Sequence, residues 1–165
     1  MAIDEQRIAT EAEAACRRYY ADYPAALWRW LNDGSEIDYD ALGCWTFPML
    51  LIIGTPEATI VTISDVATYD GQVREAYRQY FAEGWAGKLH LDRVKVTVAS
   101  PNEALVEVRG TRFKADGSDL NHWDACYLFQ RTADGWRQHA VIDVEAPRPN
   151  ADLWIRWLQS SGKLG

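Results

Sequence analysis

The sequence predicts an α+β domain in which helices come first and a meander of antiparallel strands follows. Apolar residues recur at helical spacing early in the chain, at Ile8, Ala12, Ala15, Tyr19 and Tyr23, and again at Tyr69, Val73, Tyr77 and Tyr80. From residue 88 the pattern changes to strand-like runs at 88–98, 103–114, 120–132 and 136–145, divided by the turn signals "SPN", "ADGS" and "ADG". Helices grouped ahead of hairpin-linked strands pack on one face of the sheet and leave the other face to solvent or a partner. The 165 residues read as a single domain over 1–165, large enough to bury a core without staples. The core spans about 5–146.

The elements follow in order. In the first helix, Asp22 and Pro24 suit a break or a fresh start, since Pro is tolerated in a first turn. Leu27, Trp28 and Leu31 continue the apolar face, and Gly34 offers a stop. A short helical turn at "DYDALG" takes Asp38 as its cap, and Pro48 closes that region. "MLLII" and "ATIVTI" are short strands flanking the turn-like "GTPE". Ser64 and Asp65 cap the second long helix, which Gly71 weakens and Gly84 ends. Pro147 and Pro149 close the sheet region. A short C-terminal helix at about 151–160 carries Leu153, Trp154, Trp157 and Leu158 on one side.

Composition narrows the function. The net charge of −7 argues against nucleic acid, which needs a basic footprint. The longest apolar run, Met49 to Ile53, is too short to span a bilayer. The mixed, acidic N-terminus has no apolar signal core, so the expected compartment is the cytoplasm. Cys16, Cys44 and Cys126, like His90, His122 and His139, lie far apart without metal-ligand spacing, so no metal and no cofactor is expected. Eight Trp and eight Tyr suit a thick core or an apolar ligand cavity.

Register arithmetic orients the sheet. With Asp116-Gly117 as a hairpin tip, Arg112 meets Asn121, Gly110 meets Trp123, Val108 meets Ala125 and Val106 meets Tyr127. Thr111 then meets His122, Arg109 meets Asp124 and Glu107 meets Cys126 on the opposite face. With Asp134-Gly135 as the next tip, Phe129 meets Ala140, Tyr127 meets Ile142, Ala125 meets Val144, Gln130 meets His139 and Cys126 meets Asp143. Trp123, Tyr127 and Phe129 carry on the order of 150–250 Å² each. At ~25 cal/mol per Å² their face is the one the helices cover. Gly110 leaves room for the indole across from it. His122 and Asp124 then point outward, with Asp124 reduced to a cross-strand ion pair with Arg109. A β-bulge would reverse part of this assignment.

The order of elements and the stretch "DGSDLNHWDACYLFQRTADGWRQHAVIDV" resemble the nuclear-transport-factor-2-like superfamily. Its tail looks like the frequent ending of that superfamily: an aromatic strand, a "dG" turn and a "GWR" strand. "DYDALG" followed by "FP" at 47–48 looks like its entry into the first hairpin. The resemblance implies a cone-shaped α+β domain, with a curved, mainly antiparallel sheet wrapped around a long helix and an apolar cavity at the open end. Ketosteroid isomerases, SnoaL-like polyketide cyclases, limonene epoxide hydrolase, scytalone dehydratase and many non-catalytic binding domains share it. It also implies a homodimer formed through the outer sheet face.

The chemistry of those enzymes carries over poorly. The acid often found just before the Pro of the entry is replaced here by Phe47, ahead of Pro48, and Phe47 accepts no proton. The helix-one phenol of an isomerase-like oxyanion site has candidates in Tyr19, Tyr20 and Tyr23. Asp143 sits near a last-strand acid, but "VEVRGTR" lacks the Arg-x-Asp pair that an epoxide-hydrolase-like site adds. No complete catalytic set is present, so enzyme activity stays open.

Three functional readings follow. The first is a small-molecule pocket lined by Arg112, Asn121, Trp123, Tyr127 and Gln138 on the sheet and closed by Tyr19, Tyr23 and Trp45. It suits a hydrophobic, partly oxygenated ligand whose carboxylate or carbonyl meets Arg112 and Asn121. The bland alternative is that these aromatics fill the core. The second is an isomerase, lyase or hydrolase using Asp38 or Asp40 at the mouth, or His122 with Asp124 or Asp143, as acid and base. Helix capping is the bland role of Asp38 and Asp40. The third is a dimeric interaction domain with neither ligand nor chemistry.

Overall fold

In the computed structural model, which describes residues 4–53 and 59–143, the first apolar stripe forms one helix, α1 (Glu5–Asp33). Asp4 caps it by accepting from the Arg7 amide at 3.1 Å, and Gly34 ends it in the left-handed conformation at φ 74°. The expected break at Asp22-Pro24 does not occur, and Pro24 is buried inside the helix. Ile8, Ala12, Cys16, Tyr19, Tyr23, Ala26 and Leu27 form one continuous buried stripe on both sides of it. That packing outweighs one missing backbone bond.

Helix α2 (Tyr39–Leu42) is capped by Asp38, as expected, with the Ala41 amide donating at 2.9 Å. Strand β1 (Trp45–Ile53) starts before Pro48 rather than after it and contains a cis Phe47–Pro48 bond. Strand β2 is Thr59–Ile63. Helix α3 (Val66–Ala82) is capped by Asp65 and runs through Gly71. Then come β3 (Trp85–Ser100), β4 (Glu103–Lys114), β5 (Asp119–Thr132) and β6 (Gly135–Asp143). The turn "GTPE", the strand continuation at 144–145 and the C-terminal helix at 151–160 lie outside the described residues.

The six strands form one sheet in the order β2-β1-β6-β5-β4-β3. All neighbours are antiparallel except β1 and β6, which run parallel. The long α1 packs on the inner face of this curved, open sheet, and α3 lies beside it. No helix among the described residues is long and apolar enough to cross a membrane.

The β4–β5 ladder has the register expected from sequence, with Arg112 opposite Asn121, Gly110 opposite Trp123, Arg109 opposite Asp124 and Val106 opposite Tyr127. Only its tip differs. A shift between Arg112 and Phe113 sets Phe113 opposite Asp119. Trp123 is 1% exposed, and a Cβ added at Gly110 would lie 2.3 Å from its ring. The glycine therefore makes the inward indole possible.

The β5–β6 hairpin corrects the second register. Its ladder closes at Thr132–Gly135, because the Thr132 hydroxyl accepts from the Asp134 amide and donates to the Gly135 carbonyl. Phe129 therefore faces Gln138, not Ala140. His139 is then the extra residue of a bulge, so beyond it Leu128 meets Ala140, Tyr127 meets Val141 and Cys126 meets Ile142. Ile142 and Ala140 move off the inner face, and Val141, 4% exposed, takes the place beside Tyr127. Val144 lies outside the described residues.

Candidate functional site: the aromatic interior

Helical spacing sends Tyr19, Tyr20 and Tyr23 of α1 toward the sheet, where β5 presents Trp123 and Tyr127 and β1 presents Trp45. All six are buried. The Tyr20 and Tyr127 hydroxyls share a hydrogen bond of 2.5 Å, and the Trp123 indole N–H donates to the Tyr20 oxygen at 3.1 Å. Tyr19 and Tyr69 share another hydroxyl pair at 3.0 Å. The Trp45 ring stands edge-on to Tyr23, with centroids 4.9 Å apart at 86°, and lies 5.4 Å from Tyr69. Edge-to-face rings joined at their polar tips are the preferred way to pack phenols and indoles in a dry space.

Burial dominates the acid–base character of these phenols. It drives Tyr19, Tyr20, Tyr23, Tyr69 and Tyr127 well above the ordinary phenol range, because a phenolate there would lose its hydration. They are permanent hydroxyl donors and acceptors rather than bases.

At one side the interior becomes ionic. The Tyr23 hydroxyl donates to the carboxylate of Asp70 on α3 at 2.6 Å. The other Asp70 oxygen takes the Arg74 guanidinium, which reaches on to the Tyr39 hydroxyl at 2.7 Å. Desolvation, followed by the hydrogen bond its hydroxyl donates to the Asp70 carboxylate, pushes Tyr39 up to about 12. Asp70 is 4% exposed. Sequence reading passed over it, since it sits one residue beyond Tyr69 in a stripe read for apolar residues. Its spacing of four to Arg74 was the available signal.

Gln138 and Arg112, like the Trp45 indole N–H, lack partners that burial normally demands. Gln138 on β6 is 0% exposed, and neither its amide nitrogen nor its carbonyl oxygen has a hydrogen-bond partner among the described residues. Leaving such groups unpaired costs about 1–3 kcal/mol each. Arg112 on β4 is 3% exposed. Its guanidinium lies 4.2 Å from the Trp123 centroid, 4.3 Å from that of Tyr80 and 5.3 Å from that of Tyr77, and it donates to Asn121 Oδ1 at 3.1 Å. Desolvating an ion costs several kcal/mol, which desolvated ring faces at about 2 kcal/mol each offset without cancelling the charge.

The eight residues expected to bind a ligand are thus gathered on the inner side: Tyr19, Tyr23, Trp45, Arg112, Trp123, Tyr127 and Gln138 are buried and Asn121 is half-buried. Around Trp45 the space is taken up by the rings themselves. The two grooves described lie elsewhere. One, of about 390 Å³, runs between α1 (Arg17, Tyr20, Pro24) and the start of β3 (Lys88 to Leu91). The other, of about 310 Å³, lies between the second half of α1 and the segment from Glu36 to Leu42.

His122 and Asp124 lie on the opposite face; the bulge at His139 takes Asp143 out of their row. Asp124 receives both Arg109 Nε and Nη2, at 3.0 and 3.3 Å. His122 is exposed, sharing a 2.8 Å hydrogen bond with the Thr111 hydroxyl and standing 3.4 Å from Asp119. Asp143 is the last described position of β6, paired with Ile53. Asp38 caps α2, and Asp40 is exposed in its first turn. Among the described residues no group of three or more His, Cys, Asp or Glu side chains could hold a metal ion.

Comparison with known proteins gives one family and several folds. The family model described as "NTF2-like protein (DUF6841)" matches residues 11–146. No curated protein matches the chain. An NTF2-like protein with a cystatin-like fold from Novosphingobium aromaticivorans superposes with a TM-score of 0.53 at 20% identity, covering 90% of this chain and 92% of that one. A second protein from the same organism, provisionally named an aromatic ring hydroxylase, gives 0.51 at 17% identity, with 90% and 94% covered. An NTF2-like protein from Streptomyces avermitilis, provisionally named a dehydratase, gives 0.50 at 18% identity, with 84% and 95% covered. At these identities the likeness is one of fold.

Proposed function

The chain belongs to the NTF2-like family DUF6841, and from that premise we propose that it is a small-molecule-binding domain. Its ligand is hydrophobic and partly oxygenated. It enters the aromatic interior between α1 and the inner sheet face and is met by Tyr19, Tyr23, Trp45, Arg112, Asn121, Trp123, Tyr127 and Gln138. The observation that carries this reading is the Gln138 amide, fully buried with neither donor nor acceptor met among the described residues. A core filled for stability alone would place an apolar side chain there. The proposal takes the chain as a single domain and keeps the cytoplasmic location expected from composition.

A thermal-shift and calorimetric screen with hydrophobic carboxylic acids and fused-ring phenols tests it. Binders raise the melting temperature of the native protein. Gln138→Leu abolishes their effect while its own melting temperature stays level or rises, because the unpaired amide is gone. A screen without a single binder, or binding untouched by Gln138→Leu, would overturn the reading.

An enzyme is the second reading, and Asp70 favours it. This carboxylate reaches the interior through Tyr23, whereas Phe47 stands where the resemblance to isomerase- and cyclase-like members would often place an acid, and His122 and Asp124 lie on the far face. A homodimer through the outer sheet face is supported by its apolar rows. Ile52 lies between Ile60 and Ile142, and Leu128 lies between Leu105 and Ala140. Ile60 is 64% exposed. A second copy would remove this surface from water.

A further inference from the structure

We infer that the ligand carries an anionic group, most simply a carboxylate, which pairs with Arg112 after entering through the groove between α1 and β3. This rests on the pocket reading above and adds the ligand's charge and its route.

Arg112 is the only arginine among the described residues whose burial is nearly complete. Arg74 has Asp70, Arg131 has Glu11 and Arg109 has Asp124. No ion pair among the described residues includes Arg112, although the sequence holds 24 acidic residues. Its partners are the Asn121 carbonyl, the Tyr77 hydroxyl and three ring faces, all of them neutral. Its Nε–H has no acceptor among the described residues. Guanidinium stays charged at any working pH. A buried arginine without a counter-charge is rare in stable cores. Here the rings hold the cation in a fixed orientation and leave a donor for an incoming group. A planar fork of this kind matches a carboxylate, the anion that best suits an otherwise apolar ligand.

The route follows from register. Leu89 is the cross-strand neighbour of Arg112, and Leu91 is that of Gly110, on which Trp123 rests. Leu89 and Leu91 line the groove of about 390 Å³ together with Tyr20, whose oxygen accepts the Trp123 indole N–H. The groove thus borders the strand neighbours of Arg112 and Gly110, with Arg112 and Trp123 behind its lining, and its volume falls in the range of small-molecule sites. Arg17, Lys88 and His90 also line it. Arg17 is held by Glu13 at 2.8 Å and His90 contacts Asp92 at 3.1 Å. Lys88 is then the cation left to draw an anion toward an otherwise acidic protein.

The test uses matched pairs in which only the charge differs: 2-naphthoate against 2-naphthamide, and octanoate against octanamide. Each is titrated calorimetrically into the full chain and into Arg112→Met and Arg112→Lys. The wild type is expected to prefer each acid over its amide by tenfold or more. Arg112→Met loses that preference, the acid losing more affinity than its amide, and Arg112→Lys keeps part of it. Lys88→Gln weakens the acids a fewfold, and more so at low salt. Equal affinity for acid and amide in the wild type overturns the inference but leaves the pocket standing. Acid preference that survives in Arg112→Met overturns it as well. Binding of neither member of either pair removes the pocket and this inference together. A cooperative melting transition in Arg112→Met shows the variant folded, so a loss greater for the acids than for the amides counts as support.

Discussion

Replacing Gly110 with alanine probes the packing on which the inward face depends. A Cβ at that position would lie 2.3 Å from Trp123 Cη2 and Cζ2 and 2.8 Å from Cζ3, inside any distance that real carbons tolerate. The ring cannot bend. It is pinned by its N–H bond to Tyr20 at 3.1 Å and by Arg112 on its face. Overpacking of this kind costs about 1–3 kcal/mol, and losing the indole hydrogen bond adds about 1 kcal/mol. Alanine returns about 0.5–1 kcal/mol through the lower entropy of its unfolded chain. The net loss is about 2 kcal/mol, which lowers the melting temperature of a chain this long by roughly 4–8 °C. Urea unfolding followed by tryptophan fluorescence should show a lower midpoint at unchanged slope. Gly110→Ala should cost less in a Trp123→Leu background than in the wild type, because the ring it strikes is gone. A Gly110→Ala protein within 0.5 kcal/mol of wild type (an order-of-magnitude bound on surface substitutions) would refute an indole packed on that glycine.

Asp124→Asn should change stability by no more than about 1 kcal/mol and leave ligand binding intact, because the carboxylate pairs with an exposed Arg109 on the outer face; a loss of binding would return it to the site. Stability should be level up to about pH 9 and fall above it. Burial pushes the Cys44 thiol up to about 11 and the Cys16 thiol up to about 12 from 9.0, so the unfolded chain releases those protons first. Each thiol adds at most about 1.4 kcal/mol of loss per pH unit within that window, with the tyrosines joining from about pH 10. Urea midpoints at pH 8 and pH 10.5 check the sign, and an unchanged midpoint would contradict it. Ile60→Lys and Ile52→Lys should shift a dimer to monomer in light scattering at two concentrations without lowering ligand affinity; a wild type that is monomeric at both would remove the outer-face dimer.

The sequence carried the fold where local chemistry repeats, and lost it where one residue departs from the repeat. Trp123, Tyr127 and Phe129 fall at even spacing on one side of the strand, so their shared face was legible, and Gly110 marked the place of the indole. The bulge at His139 was not, since "RQHAV" contains no glycine or proline to announce it. The tip of that hairpin was set by the Thr132 hydroxyl rather than by the Asp-Gly signal. Pro24 read as a boundary because the burial on either side of it is tertiary. Within the site, Arg112 and Gln138 were legible as polar residues at inward positions. That neither finds a partner for its charge or amide among the described residues depends on what surrounds it in three dimensions. Asp70 was invisible for the same reason, as its role comes from Tyr23 on another helix.

The most direct test follows the Gln138 side chain itself. Its NH₂ resonances can be observed by nuclear magnetic resonance in uniformly ¹⁵N-labelled protein and assigned by their disappearance in Gln138→Leu. During titration with a binder from the screen, they should shift saturably with the same affinity that calorimetry gives. A binder that saturates the protein while leaving those resonances unmoved would place the ligand elsewhere and contradict a buried amide waiting for one.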